Sequence, residues 1–238
     1  MERGLVPSRE RAQALILAGK VLCNEQKIEK PGASVPLDAS IRLLGEDLKY
    51  VSRGGLKLEK ALDHWHIDVR DRICMDVGAS TGGFSDCMLQ RGAARVIAVD
   101  TGYGQIDARL RADPRLKLLE RTNARYLRPE DIADPLPTFV AMDVSFISAT
   151  LVLPAVRRVC SVDERGRSEA VVLVKPQFEV GREKVGKGGI VRDPEAQAAA
   201  VEKVKHAAIG LGASSTDVIE SPLLGAEGNH EFLLYAAW

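Results

Sequence analysis

The segment Ile73-Cys-Met-Asp-Val-Gly-Ala-Ser-Thr-Gly-Gly-Phe84 constrains this chain more than any other stretch of it. A mostly apolar run of strand length enters a glycine-rich turn and leaves it as a helix. A strand without polar alternation has to be buried on both faces, which a parallel sheet covered by helices provides. In such open sheets, ligands bind beyond the carboxyl ends of the strands, beside the N-terminus of the first helix. Gly78, Gly82 and Gly83 leave room there for the backbone to approach a ligand where a Cβ would collide. The spacing is not that of a dinucleotide fingerprint, since G-x-G-x-x-G fails at Gly78-Ala-Ser-Thr-Gly82-Gly83.

The rest of the chain from about Arg72 keeps the same rhythm. Apolar runs predict strands at Ile73–Val77, Arg95–Val99, Leu116–Leu119, Thr138–Met142, Ala170–Val174, Asp217–Ile219 and Glu231–Ala236. Helical stretches fall between them around Gly83–Gln90, Ser148–Val159 and Pro194–Ile209, and a further helix is expected over Gly55–Trp65. The last two strands are separated only by the turn-rich Ser221–His230, too short for a crossover helix, so they should run antiparallel. The expectation is an α/β fold of the class I, Rossmann-like methyltransferase type: a seven-stranded, mostly parallel sheet with an antiparallel last strand. Ahead of it, Ser8 caps a helix after Pro7 that Gly19 closes. Short strands at Val21–Cys23 and Ile41–Leu44 flank a turn-rich stretch from Asn24 to Ala39, which together make a small α+β unit.

Composition narrows the setting. The 33 basic and 33 acidic residues cancel, but residues 1–60 hold 11 Lys and Arg against 8 Asp and Glu, leaving 22 against 25 beyond. An excess of three on the N-terminal part points weakly to a polyanion, and a solvated surface of mixed sign explains it equally well. No apolar run approaches the roughly 18–20 residues of a membrane span, and MERGLVPSRERAQ has no signal-peptide core. Cys23, Cys74, Cys87 and Cys160 are scattered without metal or disulfide spacing, so reduced thiols, no metal and a cytoplasmic setting are expected.

The chemistry sits at the strand ends. Asp76, just before the glycines, suits an ammonium group better than a pyrophosphate, and Asp100, after the second strand, is placed to accept hydrogen bonds from two ribose hydroxyls. Together the two acids fit S-adenosyl-L-methionine. Asp143 ends the fourth strand and Lys175 the fifth, so both should point into the same crevice. Burial favours a neutral Lys175 amine and a neighbouring carboxylate favours the ammonium, a balance that sequence leaves open. A lone strand-end lysine usually just reaches solvent, but the pairing with Asp143 argues against that reading. Gly181-Arg-Glu-Lys-Val-Gly-Lys187 imitates a phosphate-binding loop, yet Gly188 stands where Ser or Thr would ligate magnesium, and Pro194 delays the helix. Gly181–Arg192 then reads as a basic loop near the site, either closing over an RNA backbone or simply solvated. His64, His66, His206 and His230 form no metal or catalytic spacing.

Several blocks in order carry a resemblance: Ser8-Arg-Glu-Arg-Ala-Gln-Ala-Leu-Ile, Ala18-Gly-Lys-Val, Val51-Ser-Arg-Gly-Gly-Leu-Lys57-Leu, Asp76-Val-Gly-Ala-Ser-Thr-Gly-Gly-Phe84, Asp143-Val-Ser-Phe-Ile-Ser148, Val174-Lys-Pro-Gln-Phe-Glu179 and Gly228-Asn-His-Glu231. With them the chain resembles, over nearly its whole length, the TlyA or hemolysin A family of ribosomal RNA 2'-O-methyltransferases. The resemblance implies an S-four-type RNA-binding domain over residues 1–46, a linker at 47–52 and a methyltransferase domain like that of FtsJ (RrmJ) over 53–238. It places a Lys-Asp-Lys-Glu tetrad on Lys57, Asp143, Lys175 and Glu231. The donor site expected on this basis comprises Asp76, Gly78, Ser80, Thr81, Gly82, Gly83, Phe84, Asp100, Asn123 and Asp143. Arg9, Arg11, Lys20 and Arg53 are the expected phosphate contacts, and the partner would be ribosomal RNA, free or in a subunit. The family's N-terminal domain has a further helical turn ahead of Arg-Gly-Leu-Val, which here stands at residues 3–6, so that domain is expected to be shortened. A methyltransferase for another RNA or a small molecule, and the membrane-lytic role suggested by the hemolysin name, are the alternatives. The N-terminal module and the tetrad argue against a small molecule. The lack of a membrane-seeking helix argues against lysis.

Overall fold

The computed structural model describes residues 5–6, 8–24, 26–36, 39–44, 49–132, 135–164, 166–225 and 228–238. Its packing separates two units, Met1–Lys49 and Tyr50–Trp238. The chain start at residues 1–4, Pro7, and Asp47 and Leu48 of the expected linker lie outside the described residues.

In the first unit, helix α1 (Arg9–Leu17) begins where expected: the Ser8 side chain accepts a hydrogen bond from the Arg11 N–H. Strand β1 (Val21–Cys23) lies between β2 (Gln26–Lys27) and β3 (Ile41–Leu43), antiparallel to both. β2 was not foreseen, because two exposed polar residues inside a turn-rich stretch carry no period to read. Leu15, Val21, Leu22 and Ala39 form the buried part of this small unit.

The second unit holds a seven-stranded sheet. Its strands are β4 (Ile73–Val77), β5 (Arg95–Val99), β6 (Leu116–Leu119), β7 (Phe139–Met142), β8 (Glu169–Val174), β9 (Ser215–Glu220) and β10 (Phe232–Ala237). They are ordered β6-β5-β4-β7-β8-β10-β9. All pairs from β6 to β8 are parallel, and β10 runs antiparallel between β8 and β9. The strand order turns round between β4 and β7, and there the crevice at the carboxyl ends opens.

Helices cover both faces, as the mostly apolar strands require. Side chains alternate. Cys74, Ala98, Ala141, Leu173 and Leu233 pack with α2 (Gly54–His64) and α3 (Gly83–Gln90) on one face. Met75, Val99, Met142, Val172 and Leu234 pack with α6 (Ala149–Arg158) and α8 (Pro194–Gly210) on the other. The short helices α4 (Ala108–Arg111), α5 (Pro129–Ile132) and α7 (Pro176–Glu179) fill the connections.

Tyr50, Val51 and Ser52, expected in the linker, pack with this unit. The Tyr50 ring is buried over Gly55, where any Cβ would come within 2.3 Å of it, and the Val51 N–H donates to Asp86 Oδ2 at 2.7 Å. At the amino-terminal end of the sheet, the Arg72 guanidinium donates to Glu169 Oε2, to Thr138 Oγ1 and to the Thr138 carbonyl, while Tyr235 donates to Glu169 Oε1. Among the described residues no helix is long and apolar enough to cross a membrane.

Candidate active site

β4 delivers Asp76 to the crevice on the α2/α3 side, and the side chain is buried. Its Oδ2 accepts two hydrogen bonds from Ser85, from the N–H at 2.8 Å and from Oγ at 2.6 Å. Its Oδ1 is buried without a protein hydrogen-bond partner. Burial pushes this carboxyl up to about 7; the Ser85 bonds oppose the shift, and the charges of Asp143 and Asp100 add to it. An orphaned, desolvated carboxylate oxygen at the wall of a cavity is suited to a cationic ligand.

Two hollows meet here. One, of about 250 Å³, is lined by Asp76, Thr81, Phe84, Asp143, Lys57 and Gly225. The other, of about 430 Å³, is lined by Asp100, Asn123, Asp143, Phe146, Ile147 and Val152. Gly78, Ser80 and Asp143 border both, so they form one elongated crevice. Asp100 is less free than expected: Oδ2 already accepts from Ser80 N–H at 2.8 Å and Oδ1 from Gly102 N–H at 2.7 Å, leaving each oxygen one further lone pair. Asn123 lines the crevice while its Oδ1 caps the Arg125 N–H.

The glycines serve chain packing more than the sequence argument supposed. A Cβ on Gly78, which has φ +85°, would meet the Asp143 carbonyl oxygen at 2.3 Å. On Gly82, with φ +95°, it would meet the Leu110 side chain at 2.4 Å. On Gly83 it would strike Ser52 Oγ and the Gly55 nitrogen. The turn is held open by close approach of β7, α4 and the start of α2, and the hollow results from that packing.

Asp143 follows β7 and Lys175 follows β8, and Lys175 Nζ lies 2.6 Å from Asp143 Oδ1 and donates to Ser145 Oγ at 2.7 Å. Lys57, on the first turn of α2, donates from Nζ to the buried Glu231 Oε2 at 2.5 Å. Glu231 stands one residue ahead of β10, and its carboxylate occupies the space a Cβ on Gly225 would need. All four residues, with Asp76, share strand parity with the α2/α3 face or belong to α2 itself. The expected residues are therefore brought together as two ion pairs beside the crevice.

Arg53 stands just ahead of α2, its side chain making no capping hydrogen bond, and lines the crevice, exposed. Arg9 and Lys20 are exposed in the first unit and Arg11 is half-buried there. The basic loop is anchored by the buried Asn229, whose Oδ1 accepts from Val191 N–H and whose Nδ2 donates to the Gly189 carbonyl. Helix α8 starts at Pro194 with Asp193 as its cap, well past the loop glycines. Ser145 and Phe146 lie outside the residues expected at the site from sequence. Phe146 has φ +63° and is 92% exposed at the rim, its ring 5.3 Å from that of Phe178. An aromatic in a left-handed conformation is invisible to periodicity. Among the described residues no cluster of three His, Cys, Asp or Glu side chains is arranged to hold a metal ion.

Residues 50–238 match the family model for FtsJ-like methyltransferases, and residues 2–41 match that of the S4 domain. The chain is 46% identical to YqxC of Bacillus subtilis, provisionally named an rRNA methyltransferase, covering 100% of this chain and 83% of that one. It is also 46% identical to the 16S/23S rRNA (cytidine-2'-O)-methyltransferase TlyA of Mycobacterium tuberculosis, covering 99% of this chain and 86% of the relative. Among solved structures, a hemolysin-named protein of Streptococcus thermophilus matches with a TM-score of 0.77 at 44% identity, over 99% of this chain and 85% of that one.

Proposed function

Since the chain belongs to the FtsJ-like methyltransferases, and within them to the TlyA family, we propose that it methylates the ribose 2'-hydroxyl of a nucleotide, a cytidine, in ribosomal RNA. The observation that carries this reading is the pair of ion pairs, Lys175–Asp143 and Lys57–Glu231, on one side of a crevice whose floor is an orphaned carboxylate. S-adenosylmethionine, when bound, supplies an already activated methyl group on a sulfonium. Asp76 Oδ1 fits its ammonium, and Asp100 and Asn123 border the part of the crevice suited to its nucleoside.

The protein's own residues handle the acceptor. Lys175 Nζ, held between Asp143 and Ser145, orients the 2'-oxygen and offsets the negative charge that grows on it as its proton leaves to the Lys175–Asp143 pair. Lys57 and Glu231 extend the same side of the crevice and help hold hydroxyl and methyl in line; alignment alone supplies a large part of the acceleration. The exposed Phe146 ring at the rim suits stacking on an unpaired base, the usual way single nucleotides of RNA are gripped. The S4 unit, with Arg9, Arg11 and Lys20, adds phosphate contacts that carry a salt dependence but little sequence information.

The test is transfer of labelled methyl from S-adenosylmethionine to ribosomal subunits and to naked rRNA, with Lys175→Ala as control. Label recovered on ribose with the wild type only is the expected result. Equal label with Lys175→Ala, or label on a base, would remove Lys175 from its role or change the reaction class.

A further inference from the structure

Glu179 closes the Val174-Lys-Pro-Gln-Phe-Glu179 motif, yet the reaction above gives it no part. It ends α7 with its side chain buried. A buried carboxylate is costly unless its oxygens are engaged. Here they are engaged by a different strand–helix junction. Oε1 accepts from the Ala149 N–H at 2.6 Å, Oε2 accepts from Ser148 Oγ at 2.5 Å, and Lys203 Nζ of α8 lies 3.3 Å from Oε2. Ser148 and Ala149 are the cap and first residue of α6, so the carboxylate also meets the positive end of that helix.

The same two junctions touch at three more places on the way to the crevice. The Phe178 and Phe146 rings pack 5.3 Å apart, Lys175 Nζ donates to Ser145 Oγ, and Lys175 pairs with Asp143. The segments Asp143–Ala149 and Lys175–Glu179 thus run side by side, joined by the reacting ion pair at one end and by Glu179 at the other. Between the joins, Phe146 holds a left-handed backbone that a non-glycine residue keeps only when its surroundings enforce it.

Resting on the reading that Lys175 and Asp143 act on the hydroxyl, we infer that Glu179 is the positioning residue of that pair. It fixes the β7–α6 junction against the β8–α7 junction, so that Asp143 and Ser145 stay within reach of Lys175 Nζ. It touches neither donor nor acceptor.

Three variants test this. Glu179→Ala cuts the tie. Adding Ser148→Asp returns a carboxylate to the start of α6 from the helix's own cap position, restoring helix stability without rejoining the junctions. Glu179→Gln keeps an acceptor for the Ala149 N–H. In Glu179→Ala/Ser148→Asp, kcat on rRNA is expected to fall about 10²-fold, the size associated with a misplacement near 1 Å. The Kd for S-adenosylmethionine and the KM for RNA should stay within about twofold. Glu179→Gln should keep kcat within about fivefold, since one hydrogen bond to the helix survives. Amide hydrogen exchange over Asp143–Ser148, which needs no acceptor, should quicken in the Glu179→Ala variants and not in Glu179→Gln. Recovery of kcat by Ser148→Asp would overturn the inference, leaving Glu179 a helix cap only; so would unchanged exchange. If the wild type transfers no methyl to rRNA, the reading of the reaction falls, and the exchange result alone decides for or against the tie.

Discussion

The two ends of the same sheet bury charge in opposite ways. At the amino-terminal end, Arg72 and Glu169 are engaged on every side: four acceptors for the guanidinium, among them the Asp68 carbonyl, and a second donor for the carboxylate. At the carboxyl end, Asp76 keeps one oxygen with no partner, and two ion pairs stand at the wall of a hollow. A satisfied network fixes the fold, whereas an unsatisfied one is a cost that a ligand can remove. The contrast separates residues whose loss unfolds the protein from residues whose loss merely silences it.

The sharpest way to break that contrast is Lys175→Ala. Methyl transfer is expected to fall by about 10³-fold, within the range for a group that acts on the reacting proton or oxyanion. Calorimetric donor affinity and the thermal midpoint should hardly move; a parallel loss of donor binding would contradict the assignment. At the other end, Glu169→Leu strands the half-buried Arg72 charge and should cost about 3 kcal/mol of stability in urea titration, with kcat of the folded fraction unchanged. Smaller again, Asp76→Asn should weaken donor binding by about 2 kcal/mol, the worth of a charge-assisted contact. The same variant should be no less stable than wild type at pH 8 without donor, because a desolvated charge has been removed.

The pH dependence follows from the same carboxyl, raised from 3.8 to about 7 by burial. Between those values the folded protein holds the proton more tightly than the unfolded chain. The ligand-free protein should therefore lose stability as pH rises through that window, while donor affinity rises through about pH 7 as the carboxylate forms. Thermal midpoints measured with and without donor from pH 5 to about 8 should converge at the acid end and diverge at the alkaline end. Phe146→Ala carries the smallest effect: about 1 kcal/mol in the KM for RNA, for a stacking ring lost, and no change in stability.

Much of the carboxyl end was legible before any coordinates. Mostly apolar runs gave β4, β5 and β6 to the residue, and the short turn-rich link gave the antiparallel pairing of β10 with β9. Their positions at strand ends put Asp143 and Lys175 in the same crevice as Asp76. Period-two reasoning stops at the strand, however. Lys57 and Glu231, 174 positions apart, entered as members of the tetrad through the family resemblance, and only the structure shows that they pair. The glycines were legible as a turn but not in their targets, because what a missing Cβ makes room for depends on Leu110 and Asp143, brought there by tertiary packing. Phe146 escaped because its exposure and its left-handed backbone are set by the junction it belongs to.

That 174-residue separation has a kinetic consequence. Contacts between distant parts of a chain form late, after the entropy of closing the intervening loop has been met. The Lys57–Glu231 pair cannot exist until β10 has slotted between β8 and β9 and α2 has docked on the sheet. A partly folded population that has packed β7, α4 and α2 around the glycine turn can bind donor while β10, and with it Glu231, is still out of place, and it remains unable to turn over. Refolding followed in parallel by donor binding and by methyl transfer should show the second lagging the first, which makes turnover a clock for the last step of folding.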